Sequence, residues 1–237
     1  MRPSKHPAFD EHRQNLRAAF VEWLLAQEPA EVLDLGAGAG ALVADLLDAG
    51  VKASGIEPSS QALERAANDG IPVQQGNIDG PPGALPSAEW IVIRHVLHHV
   101  ENPARVLLRA AAAAHVGILV AEPYATEGFP CSEWIQRLDA LTRRLDRDSG
   151  MIHESDIPAV ELISMLPNDW ALEVRTFVPL TSLPPEEVEV LVDRSARGEP
   201  LSDSDLKERD LIMAAAKDGL VCPKGSVVLM ATRPKDR

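Results

Sequence analysis

The chain has 237 residues and a mass of 25.6 kDa, which is enough to bury a sizeable core without disulfides or metal. Its composition, 45% hydrophobic and 25% charged, is typical of a folded soluble protein. No apolar run approaches the roughly 20 residues of a membrane-spanning helix. With two cysteines and no apolar signal core among the first residues, the chain is expected to be cytoplasmic.

The charge is strongly acidic and unevenly distributed. The formal net charge is −13, and residues 151–210 hold 14 Asp and Glu against 5 Lys and Arg. Such a surface repels phosphate groups, so we expect neither nucleic-acid nor membrane binding. Either this acidity serves solubility alone, or the region faces a neutral or cationic small-molecule substrate. The pattern does not distinguish a monomer from a homodimer.

The predicted elements alternate along the first half of the chain. An amphipathic helix over 15–27 ends before Pro29, and a strand over 31–35 leads into a glycine-rich turn. Further helices are predicted over 42–49, 60–69, 104–114, 132–145, 157–166, 184–197 and 202–218, and further strands over 51–57, 71–75, 90–94, 116–121, 170–178 and 226–232. This alternation predicts an α/β fold with a doubly wound, Rossmann-like parallel sheet.

The glycine-rich turn carries the strongest functional signal. In the segment Val32–Gly40 a strand runs into a turn with glycine at positions 36, 38 and 40, and a helix follows. Glycine lets a ligand approach the main chain, and the helix start offers unpaired N–H groups to it. Glu57 ends the next strand, where a carboxylate can accept hydrogen bonds from a ribose diol. Together they predict an adenosine-containing cofactor.

NAD is one candidate for that cofactor, because Gly36, Gly38 and Ala41 also satisfy the permissive dinucleotide pattern. Three features argue against NAD. The Asp34 anion would repel a pyrophosphate but suits an ammonium group, Gly40 extends the glycine pattern, and a helix precedes the first strand. An NAD-dependent oxidoreductase also needs a proton-relay residue, and no Tyr-x-x-x-Lys pair is present in a chain with one tyrosine.

The chain resembles the class I S-adenosylmethionine-dependent methyltransferases of the small-molecule type. The matching motifs are Asp34-Leu-Gly-Ala-Gly-Ala-Gly40, Gly55-Ile-Glu-Pro-Ser59, Gln75-Gly-Asn-Ile-Asp79, Ile93-Arg-His-Val-Leu-His-His-Val-Glu-Asn-Pro103 and Ala121-Glu-Pro123. The resemblance implies seven strands with the last antiparallel. It also implies in-line methyl transfer to an oxygen, nitrogen or carbon atom, with S-adenosylhomocysteine as the product. A non-catalytic cofactor-binding partner of another enzyme is a further alternative.

The resemblance also implies roles for particular residues. Asp34 and the turn residues Gly36, Ala37, Gly38 and Gly40 would hold the methionine portion of the cofactor. Glu57 would bind the ribose hydroxyls, and Pro58 or Ser59 would lie beside the adenine. The family usually has Gly-Asp-Ala after the third strand, whereas this chain has Gly76-Asn77-Ile78. Either Asn77 or Asp79 would then contact the adenine. Arg94 and His95 would border the sulfonium by backbone contacts.

Three histidines, His95, His98 and His99, follow the fourth predicted strand. Only Glu101 lies nearby as a further ligand, so no metal site is expected. His98 or His99 would serve as a general base if the acceptor is a hydroxyl, and Tyr124 is a further catalytic candidate. Glu122 is either a site residue or a structural hydrogen-bond acceptor for a neighbouring loop.

The domain organisation is predicted as one methyltransferase domain over 1–237. Its core comprises 28–123, 168–178 and 224–233. The N-terminal helix 1–27 and the insertions 124–167 and 179–223 are expected to form a substrate lid.

Overall fold

The computed structural model describes residues 7–80, 85–124, 132–178 and 181–234. The strands are β1 (Glu31–Leu35), β2 (Lys52–Glu57), β3 (Val73–Gln75), β4 (Ala88–Arg94), β5 (Ala114–Tyr124), β6 (Ala171–Phe177) and β7 (Gly225–Thr232). The helices are α1 (Pro7–Leu25), α2 (Ala41–Asp48), α3 (Ser60–Asn68), α4 (Pro103–Ala113), α5 (Ser132–Asp148), α6 (Ala159–Ser164), α7 (Pro185–Ala196) and α8 (Asp203–Lys217). A short 3₁₀ helix, Leu97–His99, follows β4.

The seven strands form one sheet in the order β3-β2-β1-β4-β5-β7-β6. β1 pairs in parallel with β2 and β4, and β4 pairs in parallel with β5. β7 runs antiparallel. The predicted doubly wound α/β sheet with an antiparallel last strand is therefore confirmed. In parallel neighbours the carboxyl ends lie along one edge, so the residues that end β1, β2, β4 and β5 share that edge.

The chain divides into two compact units. The sheet unit comprises Arg17–Glu122, Ile157–Arg175 and Val227–Arg237, and the helical unit comprises Met1–Leu16, Pro123–Asp156 and Thr176–Ser226. The predicted insertion 124–167 is thus divided, since α6 belongs to the sheet unit. The lid role of the insertions stays a prediction.

The sheet unit is built around strands that are apolar on both faces. Residues 91–93 of β4 and 118–120 of β5 are fully buried, as expected for strands covered by helices on both sides. α4 begins where Asn102 caps it, its side chain accepting a hydrogen bond from the Arg105 N–H at 2.9 Å, and Pro103 takes the first helical position. β6 is exposed along almost its whole length, as befits an edge strand.

The helical unit has its own core, formed mainly by α5, α7 and α8, to which Leu183 before α7 and Val221 after α8 contribute. The buried residues are Leu138, Leu141, Leu145, Leu183, Val188, Val192, Ala196, Ile212, Ala215, Ala216 and Val221. Ion pairs connect α8 to α5. Nε and Nη2 of Arg137 donate to Oε1 and Oε2 of Glu208, each at 2.7 Å, and Arg144 pairs with Asp205. Throughout the described residues, no helix is both long and apolar enough to cross a membrane.

Candidate functional site

The glycine-rich turn joins the end of β1 to the start of α2. Gly36, Gly38 and Gly40 have φ angles of 77°, 56° and 82°, the left-handed region that glycine adopts without strain. A Cβ at position 36 would lie 2.4 Å from a Val96 methyl carbon, and one at position 40 would lie 2.5 Å from a methyl carbon of Ile71. Two of the three glycines are therefore required by close packing as well as by backbone conformation.

The first amides of the turn are used within the protein. The N–H groups of Gly36 and Ala37 donate to the carbonyl of Ile56 at 2.9 and 3.0 Å. The Gly38 N–H donates to Oε2 of Glu57 at 2.9 Å, and Oε1 of Glu57 accepts from the Ser59 N–H at 2.9 Å. A carboxylate therefore occupies the place where a pyrophosphate would need N–H donors. Each Glu57 oxygen retains a second lone pair for another donor.

Asp34 lies one residue before the end of β1 and is 4% exposed. Among the residues that the structure describes, none donates a hydrogen bond to its carboxylate. Burial raises the pKa of Asp34 to about 7, while Arg94 lowers it and the Glu57 charge adds to the rise. A buried carboxyl without a donor is costly, and a cationic ligand group at this position would relieve that cost.

Arg94 ends β4, the neighbour of β1. Burial lowers the pKa of its guanidinium, and the negative charge of Asp34 opposes that shift. Within the described part of the chain, Nε of Arg94 is buried and has no hydrogen-bond partner. Asp34 and Arg94 thus influence each other electrostatically without forming an ion pair.

The loop after β3 contains the residues predicted beside the adenine. Asn77 is exposed, and its Oδ1 accepts the Asp79 N–H at 2.9 Å, while Ile78 is buried. The Asp79 carboxylate is committed elsewhere: Oδ2 accepts the N–H groups of Glu101 and Asn102 at 2.6 and 3.3 Å, and Oδ1 pairs with Arg105. Asp79 therefore connects this loop to the start of α4.

Two arginines that belong to none of the sequence motifs hold the same loop. Arg105 donates to the Asp79 carbonyl at 2.7 Å, and Arg109 donates to the Ile78 carbonyl. Both lie on α4, one helical turn apart, so they project from one face of the helix. The only signal in the sequence is this i,i+4 spacing of basic residues, which does not reveal the loop that they contact.

The segment after β4 turns sharply before the 3₁₀ helix. His95 is exposed and has a φ of 57°, and its N–H donates to the Ala121 carbonyl at 2.7 Å. His98 is 5% exposed, whereas His99 is half-buried, and their ring centroids lie 4.1 Å apart. The two candidate bases thus differ clearly in exposure.

Glu122 is fully buried near the end of β5 and contacts that segment. Its Oε1 accepts the N–H groups of Val96 and Leu97 at 3.0 and 2.9 Å, and its Oε2 lies 2.7 Å from Nδ1 of His98. Burial raises the pKa of Glu122, but the hydrogen bond and charge of His98 and the Leu97 N–H outweigh it and hold the pKa below its usual range. Of the two roles left open for Glu122, the contacts are those of a hydrogen-bond acceptor for the neighbouring loop.

The remaining predicted residues have simpler surroundings. Pro58 is exposed between β2 and α3, and Tyr124 is half-buried at the last position of β5. The cofactor candidates from β1, β2, β4 and the loop after β3 lie along the carboxyl edge of adjacent strands.

A family model for the methyltransferase domain matches residues 9–148, more than half of the chain. The chain belongs to this methyltransferase family. The matched span includes the glycine turn, Glu57, the histidine segment and Glu122, and it ends with α5. No curated protein matches the chain.

Solved structures share the fold of this methyltransferase. The YcgJ protein of Bacillus subtilis is 18% identical with a TM-score of 0.62, covering 92% of this chain and 100% of its own. A cyclopropane-fatty-acyl-phospholipid synthase-like protein from Lactobacillus casei is 17% identical with a TM-score of 0.66, covering 97% and 94%. Magnesium protoporphyrin IX methyltransferase from Synechocystis, solved with bound S-adenosylhomocysteine, is 15% identical with a TM-score of 0.56, covering 94% and 84%.

Family and fold together confirm the class I methyltransferase prediction, with S-adenosylmethionine as the methyl donor. The NAD alternative is not supported. The roles of individual site residues remain predictions.

Proposed function

We propose that this methyltransferase transfers the methyl group of S-adenosylmethionine to an oxygen, nitrogen or carbon atom of a small neutral or cationic acceptor. The observation that carries the proposal is the pair of carboxylates, Asp34 and Glu57, at a glycine turn whose first amides are already occupied. This arrangement disfavours a pyrophosphate and suits a ligand with an ammonium group and a ribose diol.

Asp34 and Glu57 would recognise different ends of the cofactor. Asp34, which has no donor among the described residues, would accept hydrogen bonds from the ammonium of the methionine portion. The backbone at Gly36, Ala37, Gly38 and Gly40 would border that portion. Glu57 would accept the ribose hydroxyls with the lone pairs that Gly38 and Ser59 leave unused.

The adenine would be bounded by Pro58, Asn77 and Ile78. We favour Asn77 over Asp79 for the adenine contact, since Asn77 is exposed and the Asp79 carboxylate already accepts from two amides and Arg105. Asp79 would then act by holding the loop in position.

The cofactor supplies an activated methyl group on a sulfonium, so the protein's main task is to align the acceptor and exclude water. The backbone of Arg94 and His95 would border the sulfonium. Between the two histidine candidates we favour His99 as the base for a hydroxyl acceptor, because His98 is buried and held by Glu122. Tyr124 remains a candidate for orienting the acceptor.

The distribution of charge on the chain supports the proposed class of acceptor. The acidic region over 151–210 belongs mostly to the helical unit, where several basic side chains form ion pairs: Arg137 with Glu208, Arg144 with Asp205, and Lys224 with Asp139 and Asp156. Paired cations leave a surface that repels anions. We therefore expect amines and neutral alcohols to be methylated in preference to carboxylates or phosphorylated compounds.

The cofactor is tested by calorimetric titration of the wild type and Glu57→Ala with S-adenosylmethionine, S-adenosylhomocysteine and NAD. We expect the wild type to bind the first two but not NAD. Because two charge-assisted hydrogen bonds to the ribose are lost, Glu57→Ala should weaken the binding of S-adenosylmethionine and of S-adenosylhomocysteine by on the order of a hundredfold. Glu64→Ala, an exposed carboxylate on α3, is the matched control and should bind normally. Binding of NAD alone would refute the proposal.

The acceptor class is tested with labelled S-adenosylmethionine and matched amines, alcohols and phosphorylated alcohols over a salt series. Equal turnover of the anionic and cationic compounds at low salt would refute the charge argument while leaving the cofactor assignment intact.

A further inference from the structure

In the segment Arg94–His99, two consecutive amides donate to a side chain and to no backbone carbonyl of the described residues. Of its amides, His95 donates to the Ala121 carbonyl and His99 donates to the Val96 carbonyl. The amides of Val96 and Leu97 instead donate to Oε1 of Glu122. Buried N–H groups without a partner are costly, so the path of this segment depends on one side chain 25 residues further along the chain.

The Glu122 carboxylate is completely buried, and burying an ionised carboxylate costs free energy. His98 offsets this cost by placing Nδ1 2.7 Å from Oε2. Hydrogen bonds to an ionised acceptor are about twice as strong as neutral ones. The arrangement therefore holds three consecutive residues, Val96, Leu97 and His98, more firmly than an apolar side chain would.

The held segment packs against the glycine turn. The Val96 methyl groups lie where a Cβ of Gly36 would be, at 2.4 and 2.9 Å from that position. A displacement of Val96 would therefore remove the side chain against which Gly36 packs. Gly36 in turn donates to the Ile56 carbonyl, next to Glu57.

We infer that Glu122 is a positioning residue of the cofactor site, acting through Val96 on the glycine turn at Gly36. The inference rests on the proposed function, because it takes the glycine turn as the part that holds the methionine end of the cofactor. It also assigns His98 to supporting Glu122 and leaves it outside the methyl-transfer step.

The test compares Glu122→Ala with Val120→Ala and Glu122→Gln. Val120 is a fully buried apolar residue of the same strand, so Val120→Ala lowers stability while leaving the Glu122 carboxylate in place. Gln keeps an oxygen for the amides of Val96 and Leu97, and its NH₂ can donate to Nδ1 of His98 in the other tautomer. The measurements are the Kd for S-adenosylhomocysteine, Tm, and amide hydrogen exchange at Gly36, Val96 and Leu97.

For Glu122→Ala we expect the Kd to rise about tenfold or more at a temperature where the protein is fully folded, with faster exchange at all three amides. Val120→Ala should lower Tm without changing Kd, and Glu122→Gln should restore Kd to within about threefold of wild type. An unchanged Kd for Glu122→Ala, or a Kd increase as large for Val120→Ala, would overturn the inference and leave the proposed function standing.

Val96→Ala keeps the inference testable if Glu122→Ala does not fold. Removing the methyl groups that lie on Gly36 should raise the Kd about threefold and quicken exchange at Gly36. A wild-type Kd for Val96→Ala would overturn the inference. Failure of the wild type itself to bind either cofactor form would instead overturn the proposed function, and the inference with it.

Discussion

The two units of this methyltransferase differ in the surroundings of their most buried or paired carboxylates. In the sheet unit, the strand-end carboxylates of Asp34 and Glu57 form no ion pair within the described ranges, and Asp34 has no hydrogen-bond donor there either. In the helical unit, carboxylates are paired with arginines between helices, as in Arg137–Glu208 and Arg144–Asp205. Charge in the helical unit links helices to one another, whereas under the proposed function Asp34 and Glu57 serve a ligand, and the burial of Asp34 costs stability.

The family match crosses the division between the two units. It covers the sheet unit as far as β5 and continues through α5 of the helical unit to residue 148, so α7 and α8 lie outside it. We expect cofactor binding to be common to relatives and acceptor choice to depend on residues beyond the matched span.

The largest effect should come from Gly36→Ala. A Cβ at a φ of 77° is strained and would overlap a methyl group of Val96, so we expect cofactor affinity to fall by on the order of a hundredfold. Gly50→Ala is the matched control, since Gly50 has a φ of 83° but no atom within 4 Å of the added Cβ. It should cost about 1 kcal/mol of stability and leave affinity unchanged. Equal affinity for the two variants would mean that the turn does not contact the cofactor.

The next effect is the pH dependence of binding through Asp34. Its pKa of about 7 in the free protein means that acid protonates the carboxylate that would bind the ammonium. Affinity for S-adenosylhomocysteine should therefore fall about tenfold from roughly pH 7.5 to roughly pH 6. Calorimetry in two buffers of different ionisation enthalpy should detect proton release on binding near neutral pH. Asp34→Asn should bind weakly with a flat profile, and a wild-type profile for that variant would contradict the assignment.

The raised pKa of Asp34 also makes the free energy of unfolding depend on pH. The folded pKa of Asp34 lies above the unfolded value of 3.8, so ionising it costs folding free energy as pH rises towards and through 7. Asp34→Asn should thus raise Tm at about pH 8 relative to wild type, while weakening binding.

The smallest effect is the acid sensitivity of the helical unit. Hydrogen bonds from Ser202 to Asp205 and from Arg137 to Glu208 hold the pKa values of both carboxyls below their usual range. The stabilisation by these hydrogen bonds is present above the pKa values of the unfolded chain and is lost as pH falls through the pKa values of the folded protein. This direction is opposite to that for Asp34. Glu208→Gln should cost up to about 1 kcal/mol at neutral pH and nothing in strong acid. Glu189→Gln, an exposed carboxyl of α7, is the control for Tm measurements.

Much of the sheet unit could be predicted from the chain alone. Apolar runs and turn residues predicted all seven strands, and the glycine turn with Glu57 predicted the adenosine cofactor, because strand and turn preferences are local. The limits of β5 were less accurate: the apolar run predicted 116–121, whereas the strand covers Ala114–Tyr124. Pairing of Ala114 with Ala88 of β4 extends the strand at its start, ahead of the predicted run.

The tertiary structure alone decided which side chains meet. Glu122 was recognised as a residue near the strand ends, but its contacts with Val96, Leu97 and His98 depend on β4 and β5 being neighbours. The attachment of Asp79 to Arg105 likewise depends on the packing of α4. Periodicity reports the conformation of a segment and which of its faces is buried. It does not report the partner across a chain separation of 25 residues, since that partner is chosen by strand order and packing.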